Sequence, residues 1–352
     1  MKHFVNKLLL FLLVCIPIAI TYYLPSIYII PYQTGDLGRL GGIPFGAYDT
    51  IFHRVGFNYV QNIDNFDSLQ NADIITIGDS FSQQNIEGYQ NYLGHSINHI
   101  VYNFRIQDGK PENTAYTLIK KGMIPNCKIL IVESIERAFI KSSSNDFQII
   151  DNILDKQIRT TKISKIKNDG SEHISKFNQF SLTLQKLSKY YKTKLSLVKN
   201  FQLLQLKEEM FTSLKYSKSL YLYNHKETDD GDLRFQNISS EILTLARNNI
   251  NTLINAALSN NIKIIYLIPA DKYDMYYDYI EDNPYPRNPS FDYFKDYDTT
   301  VFINTKKLLL PFLQQGAKDI YRVNDTHWSP IAAKIVGEHI ASIINNNLDN
   351  KK

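Results

Sequence analysis

The stretch Asp73-Ile74-Ile75-Thr76-Ile77-Gly78-Asp79-Ser80-Phe81-Ser82 decides the fold. A short β-branched run stops at a glycine, and polar residues able to open a helix follow it. It reads as a buried strand feeding a turn. The pattern recurs along the chain. His99–Asn103, Lys128–Glu133 and Ile262–Ile268, the last ending at Pro269, are similar runs, and Asp319–Val323 is a weaker fifth. Helical patterns flank most of them. One covers Glu112–Lys121. Another covers Ser239–Asn260, with an apolar stripe through Ile242, Leu243, Ala246, Ile250, Leu253 and Ala257. Ser329-Pro330 opens a last helix as N-cap and first-turn proline, with Ile331, Ala332, Ile335, Val336, Ile340 and Ile343 on its apolar face. Short buried strands alternating with helices predict an α/β fold with a parallel sheet covered on both faces.

Length and composition fit this reading. At about 150 residues per domain, 352 residues make two domains or one large domain with an insertion. With 43% hydrophobic and 21% charged residues the chain can bury a core, which excludes wholesale disorder. A net charge of +4 is too small to imply nucleic-acid binding by itself. The two cysteines, Cys15 and Cys127, lie in different regions, so the body has one thiol and no internal disulfide. No cysteine–histidine pattern of a metal site is present.

Leu8–Ile30 carries no formal charge and is long enough to span a bilayer, for which about 20 residues suffice. Lys2 and Lys7 precede it, so the N-terminus is expected to stay cytoplasmic and the body to be exported. No small-residue cleavage site follows, which favours a signal anchor over a cleaved peptide. A buried hydrophobic helix is the alternative. Residues 31–70 contain Gly35, Gly38, Gly41, Gly42 and Gly46 and read as a juxtamembrane segment of turns and short strands. From about 140 to 235 the strand–helix pattern breaks. Lys156–Lys199 holds eleven Lys/Arg and two acids, and reads as a basic helical insertion. That insertion either faces an anionic polymer or lipid headgroups, or is a solvated helical face.

Two motifs carry chemistry. In Gly78-Asp79-Ser80-Phe81, a serine follows a strand of a parallel sheet, where open α/β proteins place their sites. Its N–H, at the start of the predicted helix, can face a developing oxyanion. In Asn324-Asp325-Thr326-His327-Trp328-Ser329-Pro330, Asp325 and His327 can serve one site. His327 takes a proton from a serine hydroxyl, and Asp325 holds the imidazole tautomer. Alone, Asp325 would read as a turn residue and His327 as a packed histidine. Their pairing with Ser80 points to nucleophilic acyl chemistry. The aromatics between Tyr273 and Tyr297 suit either sugar stacking or loop packing. His95 and His99 read as structural.

The combination resembles the SGNH (GDSL-like) hydrolase superfamily, with its serine in a GDS block and its Asp-x-His near the C-terminus. GDSF at 78–81, DTHWSP at 325–330, Leu130–Arg137 and Ile268–Lys272 are more particularly similar to the alginate O-acetyltransferase AlgJ/AlgX branch. In that branch DTHW precedes GDSF. Here the order is that of ordinary SGNH enzymes, so alginate is not assumed as substrate. The resemblance implies a three-layer α/β/α SGNH-like acyltransferase domain over 71–350, carrying the insertion and following the 1–30 stub and anchor. It implies Ser80 as nucleophile, His327 as general base and Asp325 as its orienter. Asn103 stands as an oxyanion or supporting residue, Glu136 and Arg137 as a buried supporting pair, and Trp328 as lining the acceptor groove or simply packing. No cofactor or metal is implied.

The function expected on these grounds is an O-acetyltransferase in the inner membrane, single-pass, with its catalytic domain on the periplasmic or extracytoplasmic side. It would acetylate a surface or secreted polysaccharide. Because acetyl-CoA is cytoplasmic, a multi-spanning membrane acyltransferase is the implied partner and acetyl donor. A polysaccharide acetylesterase using the same three residues, and a non-catalytic glycan-binding or assembly protein, are the alternatives.

Overall fold

A computed structural model describes residues 55–106, 110–154, 201–205, 219–223, 238–283, 287–322 and 326–349, together with Phe11, Leu13 and Ile16. In chain order the elements are β1 (Val60–Asn62), α1 (Phe66–Asn71), β2 (Ile74–Gly78), α2 (Tyr89–Ile97), β3 (Val101–Arg105), α3 (Pro111–Lys120), β4 (Ile129–Glu133) and α4 (Glu136–Ser143). There follow β5 (Phe201–Gln205), β6 (Ser219–Tyr223), α5 (Ser240–Leu258), β7 (Lys263–Ile268), α6 (Lys272–Tyr276), β8 (Phe302–Asn304), α7 (Thr305–Gln314) and α8 (Pro330–Asp349).

Six strands form one sheet in the order β1-β3-β2-β4-β7-β8, with every neighbouring pair parallel. Alternation along the strands sends Ile74, Ile131 and Ile265 into a core built with α2, α7 and α8. Ile75, Ile77, Leu130 and Val132 go into a second core with α3, α4 and α5. Helices on both faces make the α/β fold consistent with three layers. On the first face α8 lies against α2. A Cβ on Gly337 would fall 2.5 Å from the Tyr89 carbonyl oxygen and 2.8 Å from the Leu93 nitrogen, so only glycine permits this approach. Ser239 caps α5 by accepting from the Ile242 N–H, and the Ser329 hydroxyl accepts from Ile331 at the start of α8.

The chain leaves β2 toward β3 on one side, and β4 lies on the other. Open α/β sheets place their sites where such connections diverge, here at the carboxyl ends of β2 and β4. The residues after Gly78 and after Glu133 meet there.

Several expectations are corrected. Among the described residues of the run read as a fifth strand, Asp319–Arg322, there is no strand. Asp319 adopts φ 55° and turns the chain, and Tyr321 makes only an isolated antiparallel bridge with Trp328. The sheet edge goes instead to β8, whose three residues are too short to stand out as a run. The sheet also begins before residue 71, because β1 and α1 lie within the stretch read as juxtamembrane. Within 140–235 the described residues include an antiparallel β5–β6 pair, not helix alone. The anchor run 8–30, apart from Phe11, Leu13 and Ile16, and most of the basic segment lie outside the described residues. Among the described residues no helix is long and apolar enough to cross a membrane.

Candidate active site

The turn after β2 is built around Asp79. One carboxylate oxygen accepts from the Phe81 N–H at 3.1 Å, and the other accepts from the Ile135 N–H at 3.1 Å, just past β4. Ser80 opens a 3-10 turn (Ser80–Gln83), a second follows at Asn85–Glu87, and α2 starts only at Tyr89. The helix expected directly after the serine motif is thus corrected to two 3-10 turns with the α-helix beginning at Tyr89. The Asp79 cap tightens the first turn, and Asn85, at φ 53°, breaks the continuation. Ser80 itself is exposed, and its hydroxyl and N–H make no hydrogen bond among the described residues.

Two residues on, Ser82 is wholly enclosed and bonded at every polar atom. Its N–H and hydroxyl donate to Glu133 Oε2 at 3.1 and 2.9 Å. With that proton committed, Tyr89 donates its phenol proton to the Ser82 hydroxyl at 3.1 Å. Gln90 and Asn103 both donate to the Ser82 carbonyl, at 2.8 and 2.9 Å. Asn103 is 2% exposed; its other amide proton goes to Asn62 at 3.3 Å, and its oxygen accepts from Thr76 at 3.0 Å. Its donors therefore hold the turn and leave nothing for an oxyanion. The expectation of Asn103 as a donor to the oxyanion is corrected to a supporting place.

The second motif comes to the same turn. The rings of Phe81 and His327 lie 4.9 Å apart. Gln84, just past the first 3-10 turn, donates to the Trp328 carbonyl at 3.1 Å, across 244 residues of chain. Arg322 pairs with Glu87 of the serine segment, and its N–H bonds the His327 carbonyl at 3.0 Å. Lys272 holds the Arg322 carbonyl at 2.9 Å. Asp325 lies outside the described residues, so the structure places Ser80 and His327 but not the third member.

Trp328 is 0% exposed. Its N–H reaches the Tyr321 hydroxyl at 3.1 Å, and its ring stands edge-on to Phe81 and Tyr89. A side chain so enclosed cannot line a groove, and that expectation is corrected to packing. Glu136 accepts from the Asp271 N–H at 2.8 Å, and Arg137 pairs with the Asp271 carboxylate. Together they fasten the β4 turn to the β7 turn. Tyr273, Tyr276 and Phe294 are buried, so these loop aromatics pack. His95 stacks on Phe57 with ring centroids 3.8 Å apart, and His99 bonds Asp73 at 2.7 Å.

Glu133 escaped the sequence reading. The signal available for it is an acid ending an otherwise apolar strand, opposite the glycine of the GDSF block. No protein-family model, curated protein or solved structure matches the chain.

Proposed function

We propose that the chain is an exported serine O-acetyltransferase of SGNH type, anchored through 8–30 and acting on hydroxyl groups of a surface or secreted polysaccharide. The observation that carries this reading is the junction of two distant motifs. The His327 ring packs on Phe81 beside an exposed serine at the carboxyl edge of a parallel sheet.

In the proposed reaction Ser80 Oγ attacks the acyl carbonyl as its proton passes to His327. The Ser80 N–H faces the oxyanion. Collapse expels the leaving group, which takes the proton from His327, and leaves acyl-Ser80. A sugar hydroxyl then attacks, gives its proton to His327, and departs as the ester while that proton returns to Ser80. Asp325 is assigned to hold the imidazole. A multi-spanning acyltransferase supplies the acetyl group from the cytoplasmic side.

The test uses the full chain in detergent with p-nitrophenyl acetate, with and without oligosaccharide acceptors. Ser80→Ala is expected to lower turnover on the order of 10⁴-fold or more, the scale of triad loss. Acetyl transfer in excess of hydrolysis supports the transferase, whereas hydrolysis alone selects the acetylesterase. Undiminished turnover in Ser80→Ala removes the reading.

A further inference from the structure

Beneath Ser80 lies a pair of carboxyl groups that the acyl-transfer steps do not use. Glu133 is 0% exposed at the end of β4, its Oε2 lies against Gly78, and Asp79 beside that glycine accepts from the Ile135 N–H two residues on from Glu133, so the two carboxyls face each other. Two bare carboxylates only accept, so a bond between them requires one proton. Glu133 Oε2 already accepts twice from Ser82. Its Oε1 is inaccessible and has no donor among the described residues, which is the environment of an acid's own O–H. No Lys, Arg or His is paired with either carboxyl among the described residues. The carboxyl also lies directly on the β2 backbone. A Cβ on Gly78 would fall 2.3 Å from Glu133 Oε2 and 2.2 Å from Ser82 Oγ.

We propose that Glu133 is a positioning residue for the Ser80 reaction: as an un-ionised acid it donates to Asp79 and accepts from Ser82, clamping the residues that flank the nucleophile. The clamp fixes the backbone on both sides of Ser80 without engaging its hydroxyl. Burial first, and the facing Asp79 second, push the Glu133 carboxyl well above the usual carboxylate range. The other titratable group facing it is Tyr89 of α2, which burial raises in turn. The part concerning Ser80 chemistry rests on the proposed function; the proton on Glu133 does not.

The test compares Glu133→Gln and Glu133→Ala with the wild-type full chain. Gln keeps a donor toward Asp79 and an acceptor toward Ser82, whereas Ala keeps neither. Glu133→Gln is expected to retain kcat within about threefold. Glu133→Ala is expected to lose about 100-fold in kcat with KM little changed, the pattern of a group acting on the transition state alone. Equal activity of the two variants overturns the positioning role. The infrared difference between wild type and Glu133→Gln reads the proton directly, because an un-ionised acid has its own carbonyl band. Absence of that band at neutral pH from folded protein overturns the clamp, whatever the activity. A wild-type chain that shows the band yet neither transfers nor hydrolyses esters sinks the acyltransferase reading and retains the Glu133–Asp79 bond.

Discussion

Two groups of carboxyls lie side by side at the carboxyl edge of the sheet, and they meet different partners. Between β4 and β7, Glu136, Asp271 and Asp274 are interleaved with cations. Arg137 pairs with Asp271, and Lys306 reaches Asp274 at 2.7 Å. Between β2 and β4, the hydrogen bonds to Glu133 and Asp79 among the described residues come from Ser82 and from the Phe81 and Ile135 N–H groups. A buried charge survives when a counter-charge meets it, and otherwise the group keeps or takes a proton. In the first group Arg137 and Lys306 bring counter-charges to Asp271 and Asp274 and fasten the turns together, while burial and the neighbouring acids still push Glu136 well above the usual carboxylate range. The second must hold a proton, and it holds it next to the exposed serine. Adjacent positions of one sheet edge thus differ: one ties turns together, and under the proposed function the other holds the residues that flank Ser80.

The sharpest way to break this contrast is to remove a partner from the ion-paired group. Asp271→Ala leaves Arg137 without its buried carboxylate and Glu136 among altered neighbours. A loss of about 3 kcal/mol in unfolding free energy is expected, the scale for orphaning one member of a buried pair. Urea titration of the full chain measures it. A change below about 1 kcal/mol would mean that the cluster does not carry cohesion. A smaller effect is expected at the α2–α8 contact that brings the His327 loop to the serine turn. Gly337→Ala places a methyl against the Tyr89 carbonyl and the Leu93 nitrogen, both backbone atoms that cannot swing away. A destabilisation of about 1–3 kcal/mol follows from overpacking. If ester turnover falls more than the folded fraction does, α8 also sets the approach of His327.

The part of this architecture that was legible beforehand is the part written in local pattern. Four short apolar strands, the helix over Ser239–Asn260, Ser329 as a cap, and Ser80 at a strand end were all readable, because period and capping are local chemistry. The edge strands were not. Val60–Asn62 and Phe302–Asn304 are three residues each, and they are strands only because β3 and β7 offer them partners. Asp319–Val323 shows the reverse, a β-like run whose backbone is turned aside at Asp319. Trp328 was ambiguous because an amphipathic ring suits a groove or a core, and only the enclosure by Phe81, Tyr89 and Tyr321 decides it. Glu133 was hidden for a related reason. Nothing in the string Leu130–Arg137 says which acid faces another acid.

The subtlest expected effect tests the proton itself. Glu133 has a folded-state pKa raised above its unfolded value, so the folded chain binds the extra proton. Below the unfolded value, about 4.3, both states are protonated and the group costs nothing. Above it the unfolded chain ionises Glu133 while the folded chain does not, so wild type loses stability as pH rises, until the folded value is passed. Gln stands in for the protonated acid at every pH and has no such slope. Absolute melting curves cannot isolate this, because Glu112 and Glu136 are also raised by burial while Asp296 is lowered to about 2 beside Arg247. The difference between Glu133→Gln and wild type cancels those groups. That difference is expected to grow in favour of the variant from about pH 4 upward until the folded-state value is passed, by no more than about 1.4 kcal/mol per pH unit for one proton. A constant offset between the two melting series would mean that Glu133 titrates alike in both states. The distinction between an ion-paired edge and a protonated edge would then vanish, and Ser82 would be bonded to an ordinary carboxylate.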